Sequence, residues 1–88
     1  MIDKTLKIKN KLGLHARPAS LFVQTTARFN ATVKVIKDGQ EIDGKSIMGL
    51  MMLAAGLGSE LHILADGADE SELITALEQL IDRKFDEE

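Results

Sequence analysis

The sequence predicts a two-layer α+β open-faced sandwich in the order βαββαβα, with an antiparallel-rich four-stranded sheet and three helices packed on one face. Two observations predict it: some segments alternate apolar with polar residues as half-buried strands do, and others carry one apolar stripe at helical spacing. A two-residue hairpin signal, Asp38-Gly39, joins two of the strands. No repeat, low-complexity run or Pro/Gly linker divides the 88 residues, so residues 1–88 are read as a single domain.

Ile2 to Lys9 reads as the first strand, with Ile2, Leu6 and Ile8 on one side and Lys7 and Lys9 on the other. Asn10-Lys11-Leu12-Gly13-Leu14 is a loop. From about Ala16 to Arg28, Ala19, Phe22, Val23 and Thr26 recur at helical spacing. Pro18, the single proline, is tolerated only in a first turn, which sets the helix start near His15. Ala31 to Lys37 is the second strand, with Val33 and Val35 inward, and the polar composition of the short third strand around Glu41 to Asp43 suits an edge or a partly exposed ribbon. Ser46 is the natural N-cap of a short helix running to Ala54, in which Ile47, Leu50 and Leu53 or Ala54 reach the core. Glu60 to Ala65 alternates again, placing Leu61, Ile63 and Ala65 inside and His62 and Leu64 on the opposite, wet face. Asp69 and Glu72 form a D-x-x-E variant of the capping box before the stripe Leu73, Ile74, Leu77, Leu80 and Ile81.

Composition excludes several classes. The absence of Cys removes thiolate chemistry and Cys-based zinc sites, and two distant His make a metal site unexpected. The longest dense apolar stretch, Ile47 to Leu57, is too short to cross a bilayer, and no basic n-region opens the chain, so membrane insertion is not expected and a cytoplasmic location is. Residues 1–46 hold nine Lys/Arg against four Asp/Glu, whereas residues 47–88 hold two against ten, an asymmetry that suggests opposite-signed faces. Nucleic-acid binding does not follow, because three Phe without Trp or Tyr offer little to stack on bases. The short chain favours a binding module or group carrier over an enzyme with its own cleft.

His15 is the first candidate for chemistry, since the helix pattern places it at the N-terminal cap beside unpaired backbone N–H groups that attract anions. Arg17, in the same first turn, offers a fork of donors to a phosphoryl group carried by that ring, and Gly13 lets the approach loop pass close. These suit a histidine that attacks a phosphoryl donor and holds the group as a phosphoramidate. On spacing alone, a surface His starting a helix with Arg17 merely solvated competes with this reading.

The string Asn10-Lys11-Leu12-Gly13-Leu14-His15-Ala16-Arg17-Pro18-Ala19 resembles the active-site signature of the HPr family, the histidine-containing phosphocarriers of the phosphoenolpyruvate-dependent phosphotransferase system, of either the sugar or the nitrogen branch. Lys45-Ser46-Ile47-Met48-Gly49-Leu50-Met51 resembles the family's regulatory-site helix, and length and element order match over the whole chain. The resemblance implies that His15 carries the phosphoryl group from enzyme I to enzyme IIA-type acceptors, with Arg17 its stabilising partner, as a phosphohistidine intermediate rather than a stand-alone enzyme and without cofactor or metal. It also implies that Ser46 is the target of an HPr kinase/phosphorylase, and that Ala16, Ser20, Lys45, Ile47, Met48, Met51 and Met52 contact partners of a monomeric carrier. Met in excess of core needs suits a surface that docks on several partners. Family members often carry Lys where this chain has Gln24 and Ala27, so part of the usual basic surface is missing.

A second class is a regulatory module whose phosphorylation state controls a transcriptional regulator or kinase without sugar transport. An acyl carrier is excluded, because Ser46 lacks the Asp-Ser-Leu context and the strand alternation does not fit a helical bundle. Gly39-Gln40-Glu41-Ile42-Asp43-Gly44-Lys45-Ser46 satisfies the P-loop pattern, but its first Gly belongs to a hairpin turn and its acids oppose a triphosphate. His62, on the wet face, receives no role.

Overall fold

Alternation in four segments produces β1 (Ile2–Lys7), β2 (Thr32–Lys37), β3 (Gln40–Asp43) and β4 (Glu60–Asp66). The helical stripes produce α1 (Ala16–Thr26), α2 (Ile47–Met52) and α3 (Glu70–Asp82), followed by a one-turn segment, Lys84–Asp86. The structure is a computed structural model and describes residues 1–87. Every ladder is antiparallel, in the order β1-β4-β2-β3, so the polar β3 is indeed an edge. The central strands aim Val33, Val35, Leu61, Ile63 and Ala65 at the helices, where Phe22, Leu50, Leu73 and Leu77 complete a fully buried layer. Asp38 and Gly39 both have positive φ, 50° and 81°, as the two central positions of a type I′ turn require.

Several boundaries and partners differ from the sequence reading. β1 ends at Lys7, and the buried Ile8 instead exchanges backbone hydrogen bonds with the loop before β4: its N–H donates to Ser59 O and its O accepts from Gly58 N–H. α1 ends at Thr26, whose buried hydroxyl donates to Gly44 O at 2.9 Å. α2 stops at Met52, and Ala54 turns left-handed at φ 52°. With fewer than two full turns, α2 brings only Leu50 and the following Leu53 to the core; Ile47 is 40% exposed and Ala54 is exposed as well.

The expected capping box does not form. Asp69 is the N-cap of α3 by position, but its carboxylate accepts from the Asn30 and Ala31 N–H groups at 2.8 and 2.9 Å, stapling the start of β2 to the start of α3. The Asn30 N–H, aided by that of Ala31, holds the Asp69 carboxyl below its ordinary value. The charge split is also partly internal: Lys4 of β1 pairs with Glu78 and Lys9, just after β1, with Asp82, so part of the basic first half is neutralised by acidic α3.

Candidate active site

The loop before α1 is held by backbone. Gly13 is left-handed at φ 69°, and a Cβ there would stand 2.2 Å from Ala55 O, so only glycine allows the loop to lie against the segment after α2. Leu14 N–H donates to Ala55 O at 2.8 Å. Asn10, fully buried, donates through Nδ2 to Gly13 O at 2.9 Å and so closes the loop on itself.

This loop delivers His15 in an extended conformation, φ −81° and ψ −169°, as the N-cap of α1. Its carbonyl accepts from Ala19 N–H at 2.9 Å and starts the helix, while its ring makes no cap. The first two helical donors, the N–H groups of Ala16 and Arg17, therefore have no acceptor among the described residues, and Pro18 has no N–H to spare. The imidazole is 39% exposed and engaged on one side only, with Nε2 3.0 Å from Glu87 Oε2. Nδ1 has no partner among the described residues. Arg17 is exposed and makes no ion pair or hydrogen bond among them, and a cleft lined by Lys11, Leu12, Arg17, Asp86 and Glu87 opens beside it. An imidazole nitrogen, two backbone donors and a guanidinium, none of them paired among the described residues, thus belong to one helix start. Such a combination is chemically able to accept and steady a phosphoryl group.

Ser46 stands elsewhere. It is the N-cap of α2, half-buried, with Oγ accepting from Gly49 N–H at 3.0 Å. Lys45 donates through Nζ to Phe29 O at 2.8 Å, just beyond the far end of α1. Eleven helical residues span about 16 Å, so the structure places Lys45 and Ser46 at the opposite end of α1 from His15. Gly39 and Gly44 of the P-loop look-alike are separated by β3, and Gly44 lies against Val33 instead of forming a phosphate cradle.

Between these ends α2 exposes Ile47, Met48, Met51 and Met52. Two further exposed apolar residues, to which the sequence reading gave no contact role, are Leu12 at 73% and Leu57 at 61% exposure, on the loops that meet at Gly13 and Gly56. An apolar side chain in a Gly-flanked loop is the signal that marks each. Ala16 is exposed, and Ser20 is half-buried with Oγ accepting from Gln24 Nε2 at 3.2 Å. His62 lies on the open sheet face paired with Asp3. Among the described residues no group of His, Cys, Asp or Glu could hold a metal, and no helix is long and apolar enough to cross a membrane. Pattern reading gave no separate role to Asn10, whose side chain closes its own loop, and passed over Glu87, which meets Asn10 and His15 only through tertiary contact.

Residues 2–83 match the family described as the PTS HPr component phosphorylation site. The phosphocarrier protein HPr of Treponema pallidum is 44% identical over 88 residues, covering all of both chains. A crystal structure of HPr-C-His from Thermoanaerobacter tengcongensis superposes with a TM-score of 0.95 at 50% identity, over 100% of this chain and 99% of that one. Crh, described as the Bacillus subtilis catabolite repression containing protein, superposes with a TM-score of 0.75 at 42% identity, over 96% of this chain and 97% of that one.

Proposed function

Since this chain belongs to the HPr family, we propose that it is a phosphocarrier that receives a phosphoryl group from phospho-enzyme I on His15 and passes it to enzyme IIA-type acceptors. The observation that carries the reading is the His15 ring, presented at a helix start that no side chain caps, with Nδ1 unpartnered among the described residues and the exposed Arg17 two residues on in the same first turn. Nδ1 attacks phosphorus, forming the P–N bond while the donor's bond to phosphorus breaks and its electron pair leaves with the donor. The Ala16 and Arg17 N–H groups and the Arg17 guanidinium take up the phosphoryl oxygens. Imidazole is a good leaving group, so the same geometry run backwards delivers the group to an acceptor.

The exposed apolar side chains of α2, with Leu12 and Leu57, form the docking surface that several partners share. Phosphorylation of Ser46 by an HPr kinase/phosphorylase adds nearly two negative charges at the edge of that surface, beside Ile47 and Met48, and regulates docking without refolding α2. The similarity to Crh favours a second reading, a regulatory phosphoprotein that acts on a transcriptional regulator.

Incubation with phosphoenolpyruvate and enzyme I tests the first reading: acid-labile phosphate is expected on the wild type, and its persistence in His15→Ala would refute the assignment. Arg17→Ala is expected to slow transfer by about tenfold or more at unchanged stability, because its guanidinium serves only the charged group. Label stranded on His15 with every enzyme IIA acceptor supports the regulatory reading instead.

A further inference from the structure

We propose that Glu87 is a positioning residue for His15: its carboxylate holds the ring so that Nδ1 faces outward with its lone pair free, and it offsets the charge the ring gains on phosphorylation. The proposal rests on the phosphocarrier reading for its chemistry and on four observations of its own.

Glu87 places Oε2 3.0 Å and Oε1 3.4 Å from His15 Nε2. A carboxylate only accepts, so the contact requires the ring proton on Nε2 and leaves the lone pair on Nδ1. The carboxylate is itself held, since Asn10 Nδ2 donates to its Oε1 at 3.0 Å and to Gly13 O at 2.9 Å. One buried amide thereby ties the tail to the loop that carries the histidine. The backbone is built to make the reach: Lys84, Phe85 and Asp86 are all left-handed, with φ between 55° and 59°, a conformation that non-glycine residues adopt at a steric cost. That cost is met by Phe85, which is fully buried in the core, and the reversal turns the chain from the end of α3 back across the site. Finally, Glu87 follows a run in which Asp82, Arg83, Lys84 and Asp86 are all exposed, yet its own side chain is only 18% exposed.

In the transfer step Nδ1 donates its pair to phosphorus, the donor's bond to phosphorus breaks with its pair, and Nε2 keeps its proton. The ring becomes positive, and the carboxylate on Nε2–H stabilises that charge as the carboxylate of a His-carboxylate pair does. No proton moves and no further reactant is needed; when the group leaves, the pair returns to Nδ1.

The test compares wild type with Glu87→Ala and Glu87→Gln, the second keeping the side chain's shape and one acceptor oxygen if the first disturbs the tail. For phosphorylation by enzyme I and phosphoenolpyruvate, kcat of Glu87→Ala is expected to fall about tenfold with KM for enzyme I within about twofold, and Glu87→Gln to recover part of the loss. Nitrogen-15 imidazole spectra without any phosphoryl donor are expected to show a solvent-protected Nε2–H in wild type and Glu87→Gln and its loss in Glu87→Ala. An unchanged or faster kcat in Glu87→Ala, a loss carried wholly by KM, or identical ring spectra in wild type and Glu87→Ala would each overturn the proposal. A wild type that takes no phosphate refutes the phosphocarrier reading instead, while the ring spectra still decide whether Glu87 orients His15.

Discussion

Replacing Gly13 with Ala probes the loop on which the site depends, and the structure separates its cost into two parts. The left-handed φ of 69° costs an L-residue about 1–2 kcal/mol. Of this, about 0.4–1 kcal/mol is returned because alanine narrows the unfolded ensemble. The added Cβ would also lie 2.2 Å from Ala55 O and 2.7 Å from Gly56 Cα, both backbone atoms that cannot rotate aside. Overpacking of this kind costs about 1–3 kcal/mol, for a total of about 3 kcal/mol. Gly39→Ala is the matched control: its φ is 81°, but a Cβ there meets nothing within 4 Å, so the conformational part alone remains. The expected cost of the control is about 1 kcal/mol or less. Urea unfolding of the two variants reads the difference, and a gap of about 2 kcal/mol displaces the midpoints by about 1–2 M at an ordinary slope for a small domain. Equal midpoints for Gly13→Ala and Gly39→Ala would refute the close approach of the His15 loop to the segment after α2.

Ser46→Ala removes the oxygen that accepts from Gly49 N–H and is expected to cost about 1 kcal/mol in urea unfolding, whereas Ser46→Asp, which caps as well as serine, is expected to lie within about 0.5 kcal/mol of wild type. The Asp69 carboxyl is held below its ordinary value of 3.8 by the Asn30 and Ala31 N–H groups, so its contribution to stability is present above that value and is lost as pH falls through the lower folded value. Urea midpoints of wild type are therefore expected to drop more steeply between about pH 4 and pH 2 than those of Asp69→Asn, and parallel curves would refute the staple.

Period and turn chemistry made most of the fold readable before any coordinates. Val33, Val35, Leu61, Ile63 and Ala65 lie inward as alternation requires, and Asp38-Gly39 forms the turn its residue types demand. What pattern reading missed is where a local rule met a better tertiary partner. Asp69 had a local use as a cap, yet two backbone donors at the start of β2 outcompete it, and nothing within its own segment announces them. Lys45 reads as a cation available to partners, but it satisfies the carbonyl of Phe29 beyond the end of α1. At the site, His15 and Arg17 were visible because helix-start chemistry is local. The link between Asn10 and Glu87 was not, because the first stands in its string as an ordinary loop residue and the second reads as one more acid in an acidic tail. Their meeting spans 77 positions of chain and depends on a left-handed run over Lys84, Phe85 and Asp86, of which only Asp86 is a residue type that favours the conformation.

The proposed role sets two opposed demands on His15, and the loop geometry answers both. The ring must stand in the open to enter the sites of donor and acceptor, yet transfer rates depend steeply on orientation, so it cannot swing freely. Burial of the ring would give rigidity at the expense of access. Here the rigidity is supplied from beneath: Gly13 lies against Ala55, Leu14 bonds to Ala55 O, and Asn10 closes the loop, while the imidazole itself remains 39% exposed. The same Ala55 segment directly follows α2, whose methionines are exposed. On the proposed reading, a partner seated on α2 is referenced, through one short stretch of backbone, to the loop that carries His15. On the same reading, that coupling lets a docking surface be built of adaptable Met side chains: precision resides in the Gly13–Ala55 contact, and the surface above it needs only to be apolar and near.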